Sequence, residues 1–251
     1  MTVETLEELE GLRKAGRVAA KILHAVIEAV EPGVTTRELD ELAGRMMGEE
    51  GAKSAPIVTY AFPGYTCISV NEEIAHGIPG DRVIQPGDVV NVDVSLEYEG
   101  FYGDNASTTV VEGAPQELFD LVEAARAARD VAISRLRAGT PFNAMGRIFE
   151  EHAREAGARV VRDLCSHGIG RALHEPPSEL LGFYSARERR VFEAGQVITV
   201  EPFLSTGASL TRTAEDGWTL LNLPGGFSAQ FEHTIMIRQD EPPEIFTLLE
   251  V

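Results

Sequence analysis

Two stretches of this chain repeat one pattern at a nearly constant offset, and a repeat of that length leaves few architectures open. Gly33 and Gly139 lie 106 residues apart, as do Leu39 and Met145, Leu42 and Ile148, and Gly51 and Gly157. Glu-Glu-Gly-Ala at 49–52 is answered by Glu-Ala-Gly-Ala at 155–158. Gly87-Asp-Val-Val-Asn-Val-Asp93 then matches Gly195-Gln-Val-Ile-Thr-Val-Glu201 at an offset of 108, a glycine followed six residues later by an acid. Each half therefore reads helix, helix, then strands ending in an acid. Two such halves, at about 5–113 and 114–249, bring equivalent strands together in a central sheet about a pseudo-twofold axis, with helices on its outer side. No linker or low-complexity stretch separates them, so a single α+β domain over 1–251 is expected.

Local signals agree with that plan. Thr5 and Glu8 make a capping box, and Leu9, Leu12, Ala19, Ile22, Leu23, Val26, Ile27 and Val30 recur at helical spacing until Pro32-Gly33. Thr35 and Glu38 make a second box for a helix running to about Gly51. In the second half an Ala-rich helix follows Pro115, with a stop near Gly139, Pro141 in a first-turn position and a helix end near Gly157. Strand-like runs are predicted at 66–70, 89–96, 197–203 and 230–237.

A chain of 251 residues buries a substantial core without staples, and Cys67 and Cys165 are too few for a disulfide framework. The acidic start, Met1-Thr2-Val3-Glu4, is unlike a secretory signal, and no stretch approaches a membrane span; a soluble cytoplasmic protein is expected. A net charge of −18 repels phosphate backbones, which argues against broad nucleic-acid binding.

The acids within the strand-like runs carry the chemistry. Asp93 sits among Val89, Val90, Val92 and Val94, where an ionised carboxylate is costly without a partner. A reversal centred on Tyr98-Glu99 places Asp104 opposite it. Two adjacent carboxylates share either a proton or a metal. Glu201, the repeat counterpart of Asp93, and Glu232 favour metal, since four convergent carboxylates need about +4 of cationic charge. The acids thus read as two matched pairs, one in each half. Nitrogen ligands come from His76, His167 or His174; His24, His152 and His233 read as structural. One imidazole among oxygen donors suits cobalt, manganese or iron(II) at least as well as zinc.

With these motifs in order, the chain resembles the pita-bread metallopeptidases, and within them the bacterial type of methionine aminopeptidase, from about residue 4 to 249. The matching segments are Cys67-Ile-Ser-Val-Asn-Glu-Glu-Ile-Ala-His76-Gly-Ile-Pro, Val92-Asp93-Val94, Gly100-Phe-Tyr-Gly-Asp104, Ser166-His167-Gly-Ile-Gly-Arg-Ala-Leu-His174-Glu-Pro, Val200-Glu201-Pro and Ser228-Ala-Gln-Phe-Glu232-His-Thr. The resemblance implies a curved antiparallel sheet and two divalent metal ions on Asp93, Asp104, His167, Glu201 and Glu232, with Asp104 and Glu232 bridging. It makes His76 and His174 contacts of the substrate amide, lets Glu201 move a proton, and places Phe62, Cys67 and Trp218 around a methionine side chain. The implied reaction is hydrolysis of the first peptide bond, removing methionine from a peptide or nascent chain, preferably before a small second residue, by a monomer. This chain departs from common family residues at Leu173, where an aromatic is frequent, and at Phe62, where tyrosine is. Two other readings are an Xaa-Pro or other aminopeptidase of the same fold and a non-catalytic pita-bread binding module.

Overall fold

The computed structural model describes residues 1–207, 209–222 and 225–249. Helix α1 (Leu6–Glu28) starts at the expected capping box, with the Glu8 amide donating to Thr5 Oγ1 and the Thr5 amide to the Glu8 carboxylate. Its apolar stripe, Leu12, Ala15, Ala19, Ile22 and Val26, is at most 1% exposed. Helix α2 (Thr36–Glu50) opens on the Thr35–Glu38 box and ends at Gly51. The short strand β1 (Lys53–Ser54) leads into a six-residue helix, α3 (Ala55–Tyr60), followed by β2 (Cys67–Val70), β3 (Glu73–Ala75), β4 (Val89–Tyr98) and β5 (Phe101–Val110). Helices α4 (Gln116–Arg135) and α5 (Phe142–Glu155) open the second half. Pro141 precedes α5 as its cap residue, one step ahead of the first-turn position expected.

Ten strands follow: β6 (Arg159–Val160), β7 (Cys165–Gly168), β8 (Glu175–Leu181), β9 (Val197–Val200), β10 (Phe203–Ser205), β11 (Thr211–Thr213), β12 (Leu220–Asn222), β13 (Ser228–Gln230), β14 (His233–Met236) and β15 (Glu244–Ile245). All named pairings are antiparallel. The repeat is visible in their register. Ser54 pairs with Leu96 and Val160 with Leu204; Thr35 bridges Val83 and Pro141 bridges Val191. Gly33 and Gly139 both have positive φ, 98° and 82°. Helices α1 and α2 cover β2 and β4 with one apolar cluster, while α4 and α5 cover β9, β10, β13 and β14 with another. This is the pita-bread arrangement, two related halves with helices outside their strands.

The halves are joined by a symmetric pair of threonines. Thr108 Oγ1 accepts from the Gln230 amide (3.0 Å) and donates to the Gln230 carbonyl (2.7 Å). Thr234 Oγ1 makes the same two bonds to the Asp104 backbone, at 3.0 and 2.8 Å. Between them the Glu232 amide donates to the Ala106 carbonyl at 2.9 Å.

Three expectations are corrected by these ladders. The β4–β5 reversal turns on Glu99-Gly100, both with positive φ (51° and 83°), as the type I′ form of a two-residue hairpin turn requires. Asp93 therefore faces Ala106 and Asp104 faces Ser95, so the two acids are diagonal neighbours rather than opposite. Glu201 and Glu232 lie in breaks, between β9 and β10 and between β13 and β14, not within continuous strands. Pro202 has no amide hydrogen for a ladder, and the Glu232 amide is committed to Ala106. Finally, the threonine pair makes Gln230 the counterpart of Asp104, so the repeat matches Asp93 with Glu201 but does not generate Asp104 and Glu232 as a second pair.

Helix α1 approaches other backbone closely: a Cβ on Gly16 would stand 2.4 Å from the Phe246 carbonyl oxygen, whereas Gly48 in α2 has nothing within 4 Å. Gly16→Ala is expected to lower stability by about 1–3 kcal/mol through overpacking. Gly48→Ala is expected to raise it by roughly 0.5–1 kcal/mol through helix propensity. Urea unfolding of both variants checks the contrast.

Candidate active site

Five elements deliver polar side chains to the floor of one cavity of about 710 Å³. Asp93 points from β4, Asp104 from β5 and His167 from β7, while Glu201 and Glu232 come from the two strand breaks. Ligand-type atoms of Asp104, His167 and Glu232 all lie within 4.8 Å of one another. His167 Nε2 is 3.6 Å from Glu201 Oε1 and 3.8 Å from Asp104 Oδ2. Ser95 Oγ links the two aspartates, at 2.7 Å from Asp104 Oδ1 and 3.4 Å from Asp93 Oδ1. All five residues named from the sequence are thus brought together.

Neighbouring side chains fix their orientation. Thr199 Oγ1 accepts from the His167 amide (3.1 Å) and donates to Glu201 Oε1 (2.6 Å). His167 Nδ1 can only donate to the Gly168 carbonyl, at 3.0 Å, so Nε2 presents a lone pair to the acids. Burial, then the neighbouring His174, pushes the His167 pKa down to about 3 and keeps the ring neutral. Burial pushes Asp93 up to about 6, and raises Asp104, Glu201 and Glu232 well above the carboxylate range, with the charges of the other acids adding to it.

These residues fit a cation. Among the described residues no lysine or arginine pairs with any of the four carboxylates, and Glu232 Oε1 is buried without a hydrogen-bond partner. Four oxygen-donor groups and one imidazole lone pair form a hard, anionic donor set suited to divalent ions.

The other residues singled out from the sequence, His76, His174, Phe62, Cys67, Trp218 and Leu173, all line the same cavity. Solvent reaches His76 and His174 through its mouth, and burial by the surrounding walls lowers both pKa values. The His174 ring lies 4.0 Å from that of His167, centroid to centroid. Phe62 and Trp218 meet edge-to-face at 5.2 Å, and Cys67 pairs with Asp93 across β2 and β4. Burial, then the Asp93 charge, raises the Cys67 thiol and leaves it unreactive. Leu173 belongs to the first-half core and shows the cavity its side chain. The structural histidines are elsewhere: His233 Nδ1 contacts Thr247 Oγ1 at 2.9 Å, His152 its own helix and His24 the neighbouring Glu28.

Sequence reasoning missed Tyr60, Thr199, Gln230 and Ser95. Ser95 and Thr199 alternate with the acids along their strands, a period-two signal that was readable. Gln230 stands at the same spacing before Glu232, whereas Tyr60 gave no such signal.

A sequence model of metallopeptidase family M24 matches residues 10–239. The chain is 41% identical over 243 residues to a methionine aminopeptidase of Staphylococcus epidermidis, covering 96% of this chain and 97% of that protein. The chain belongs to metallopeptidase family M24. The crystal structure of a Thermotoga maritima methionine aminopeptidase superposes with a TM-score of 0.94 at 33% identity, covering 99% of this chain and 100% of that one. A Pyrococcus furiosus prolidase shares the fold at a TM-score of 0.79 and 24% identity, but this chain spans only 66% of it. Membership in M24 makes the chain a peptidase that uses divalent metal, in keeping with the buried Asp104, His167 and Glu232 cluster. No described helix is long and apolar enough to cross a membrane.

Proton competition follows from the raised carboxylates of this M24 site. A carboxylate with a raised folded-state pKa holds its proton longer than in the unfolded chain, so the metal-free protein loses stability as pH rises from roughly 4, the ordinary carboxylate range. For Asp93 this loss is complete only above its folded value of about 6. Metal binds the deprotonated acids, so the rise in melting temperature on adding manganese should be large at neutral pH and shrink as pH falls through about 6. Thermal scans with and without manganese across that range check this.

Proposed function

We infer that this M24 chain removes the N-terminal methionine from peptides and newly made proteins, preferably before a small second residue. The observation that carries the reading is the placement of the acid cluster and the soft apolar wall, Phe62, Cys67 and Trp218, in one cavity. Near-full-length relatives named methionine aminopeptidase, at 36–41% identity, support it.

Asp93, Asp104, His167, Glu201 and Glu232 would hold two divalent ions, cobalt, manganese, iron(II) or zinc. Bound there, the ions would supply Lewis-acid charge that acidifies water and polarises a carbonyl. The protein's own groups do the rest. Glu201, oriented by Thr199, takes up a proton and returns it to the departing amine. His76 and His174 face the cavity and donate to the carbonyl oxygen as its charge grows. Phe62, Cys67 and Trp218 surround a thioether with polarizable and aromatic contacts, and Leu173 in place of a larger ring widens that wall.

Residues 1–251 act as one catalytic domain, since both halves contribute acids to the same floor. The partner is a peptide or nascent-chain N-terminus and the working unit a monomer. A charge of −18 opposes nucleic-acid binding, and free Cys67 and Cys165 suit the reducing cytoplasm. An Xaa-Pro peptidase of the same fold is the second reading, favoured by the prolidase likeness in fold.

Hydrolysis of Met-Ala-Ser, Leu-Ala-Ser and Ala-Pro-Ala by metal-free protein given manganese, cobalt or iron(II) separates these. Rapid cleavage of Met-Ala-Ser alone is expected. Preference for Ala-Pro-Ala would support the second reading, and no cleavage under any metal would refute both. Glu201→Gln should lower kcat by about 10²–10⁴-fold while leaving the circular dichroism spectrum unchanged.

A further inference from the structure

Tyr60 stands at the cavity mouth with no part in the reading above. It is the last residue of α3, which Ser54 caps: Ser54 Oγ accepts from the Ile57 amide and donates to the Tyr65 carbonyl. Ala61 then turns left-handed (φ 56°, ψ 37°), an uncommon conformation for a residue with a Cβ, and its amide closes on the Ile57 carbonyl at 3.0 Å. This turn puts both Tyr60 and Phe62 on the cavity wall. The Tyr60 hydroxyl lies 2.6 Å from His174 Nδ1, and the two rings sit 5.7 Å apart at 51°.

The direction of that bond decides what His174 presents to the cavity. A phenol is a stronger donor than a neutral imidazole N–H, and an unprotonated imidazole nitrogen is a stronger acceptor than a phenol oxygen. The favoured bond therefore runs from the tyrosine O–H to Nδ1, and in a neutral ring the proton must then reside on Nε2. Such a ring offers Nε2–H as a donor, the form needed to meet a carbonyl oxygen acquiring negative charge. With the opposite tautomer, the lone pair of Nε2 would repel that oxygen. His76 has no such restraint on its tautomer: among the described residues, nothing hydrogen-bonds its ring.

We propose that Tyr60 is a positioning residue that fixes the tautomer and orientation of His174, so that His174 rather than His76 is the preorganised donor of the site. The role assigned to Tyr60 rests on the aminopeptidase reading, but its first consequence, the tautomer, does not. The test uses the full chain, zinc-loaded and labelled with ¹⁵N in its histidines, at mildly alkaline pH. Imidazole correlation spectra should show His174 as the Nε2–H form in the wild type and as a mixture in Tyr60→Phe, which keeps the ring and loses only the hydroxyl. For Met-Ala-Ser, Tyr60→Phe should lower kcat by about tenfold, less than the roughly 10²–10³-fold of deleting an oxyanion donor because the ring remains and only its tautomer becomes mixed, with KM and metal content unchanged. A wild-type His174 protonated at Nδ1, a variant whose tautomer does not shift, or one with wild-type kcat would each overturn the proposal. A wild type that cleaves no peptide would instead refute the aminopeptidase reading, and the imidazole spectra would still decide the direction of the bond.

Discussion

Four carboxylates share the floor of one cavity, and no lysine or arginine among the described residues neutralises them. Desolvating even one unpaired carboxylate costs several kcal/mol, so a fold that gathers four must receive positive charge from outside the chain or hold protons instead. Much of the surrounding structure is arranged for this condition. Thr199 and Ser95 donate hydroxyls to the acids, Gln230 offers its Nε2 to Glu232 at 3.2 Å, and His167 is kept neutral with its lone pair inward. These groups orient the acids without cancelling their charge, which leaves the charge for a divalent ion.

The pseudo-twofold arrangement explains how that cluster can be rigid. Thr108 and Thr234 clasp the backbone of Gln230 and Asp104 across the junction, so the hairpins of the two halves are held edge to edge. Asp104 is thereby fixed by the opposite half, and Glu232 by the hydrogen bond its backbone N–H donates to the Ala106 carbonyl of the first half. Neither half alone carries a complete donor set. At the equivalent places a neutral amide, Gln230, stands for Asp104 and a methyl, Ala106, for Glu232. The symmetric scaffold therefore supports an asymmetric site, with His167 supplied only by the second half.

Much of this was legible in the sequence, for definite reasons. The capping boxes at Thr5 and Thr35 are local signals that depend on nothing distant, and both form as read. The glycine-to-acid spacing of Asp93 and Glu201 survived because the segments from Gly87 and Gly195 contain no insertion. The hairpin register did not follow from pattern alone. It depended on Glu99 accepting positive φ beside Gly100, which moved the turn by one residue and made Asp93 and Asp104 diagonal. The counterpart of Asp104 was also hidden, because β11 and β12 are inserted between β10 and β13 and break the constant offset. Tyr60 was illegible since its partner His174 is 114 residues away and meets it only through the left-handed turn at Ala61.

The acid floor is proposed to hold two divalent ions, and its lack of a cationic side chain among the described residues is the feature that asks for them. Native mass spectrometry of the chain after exchange into manganese measures this directly. Two ions per wild-type chain, and fewer in Glu232→Gln, are expected. A wild-type chain that stays metal-free, or a Glu232→Gln chain that binds as many ions as the wild type, would contradict the account.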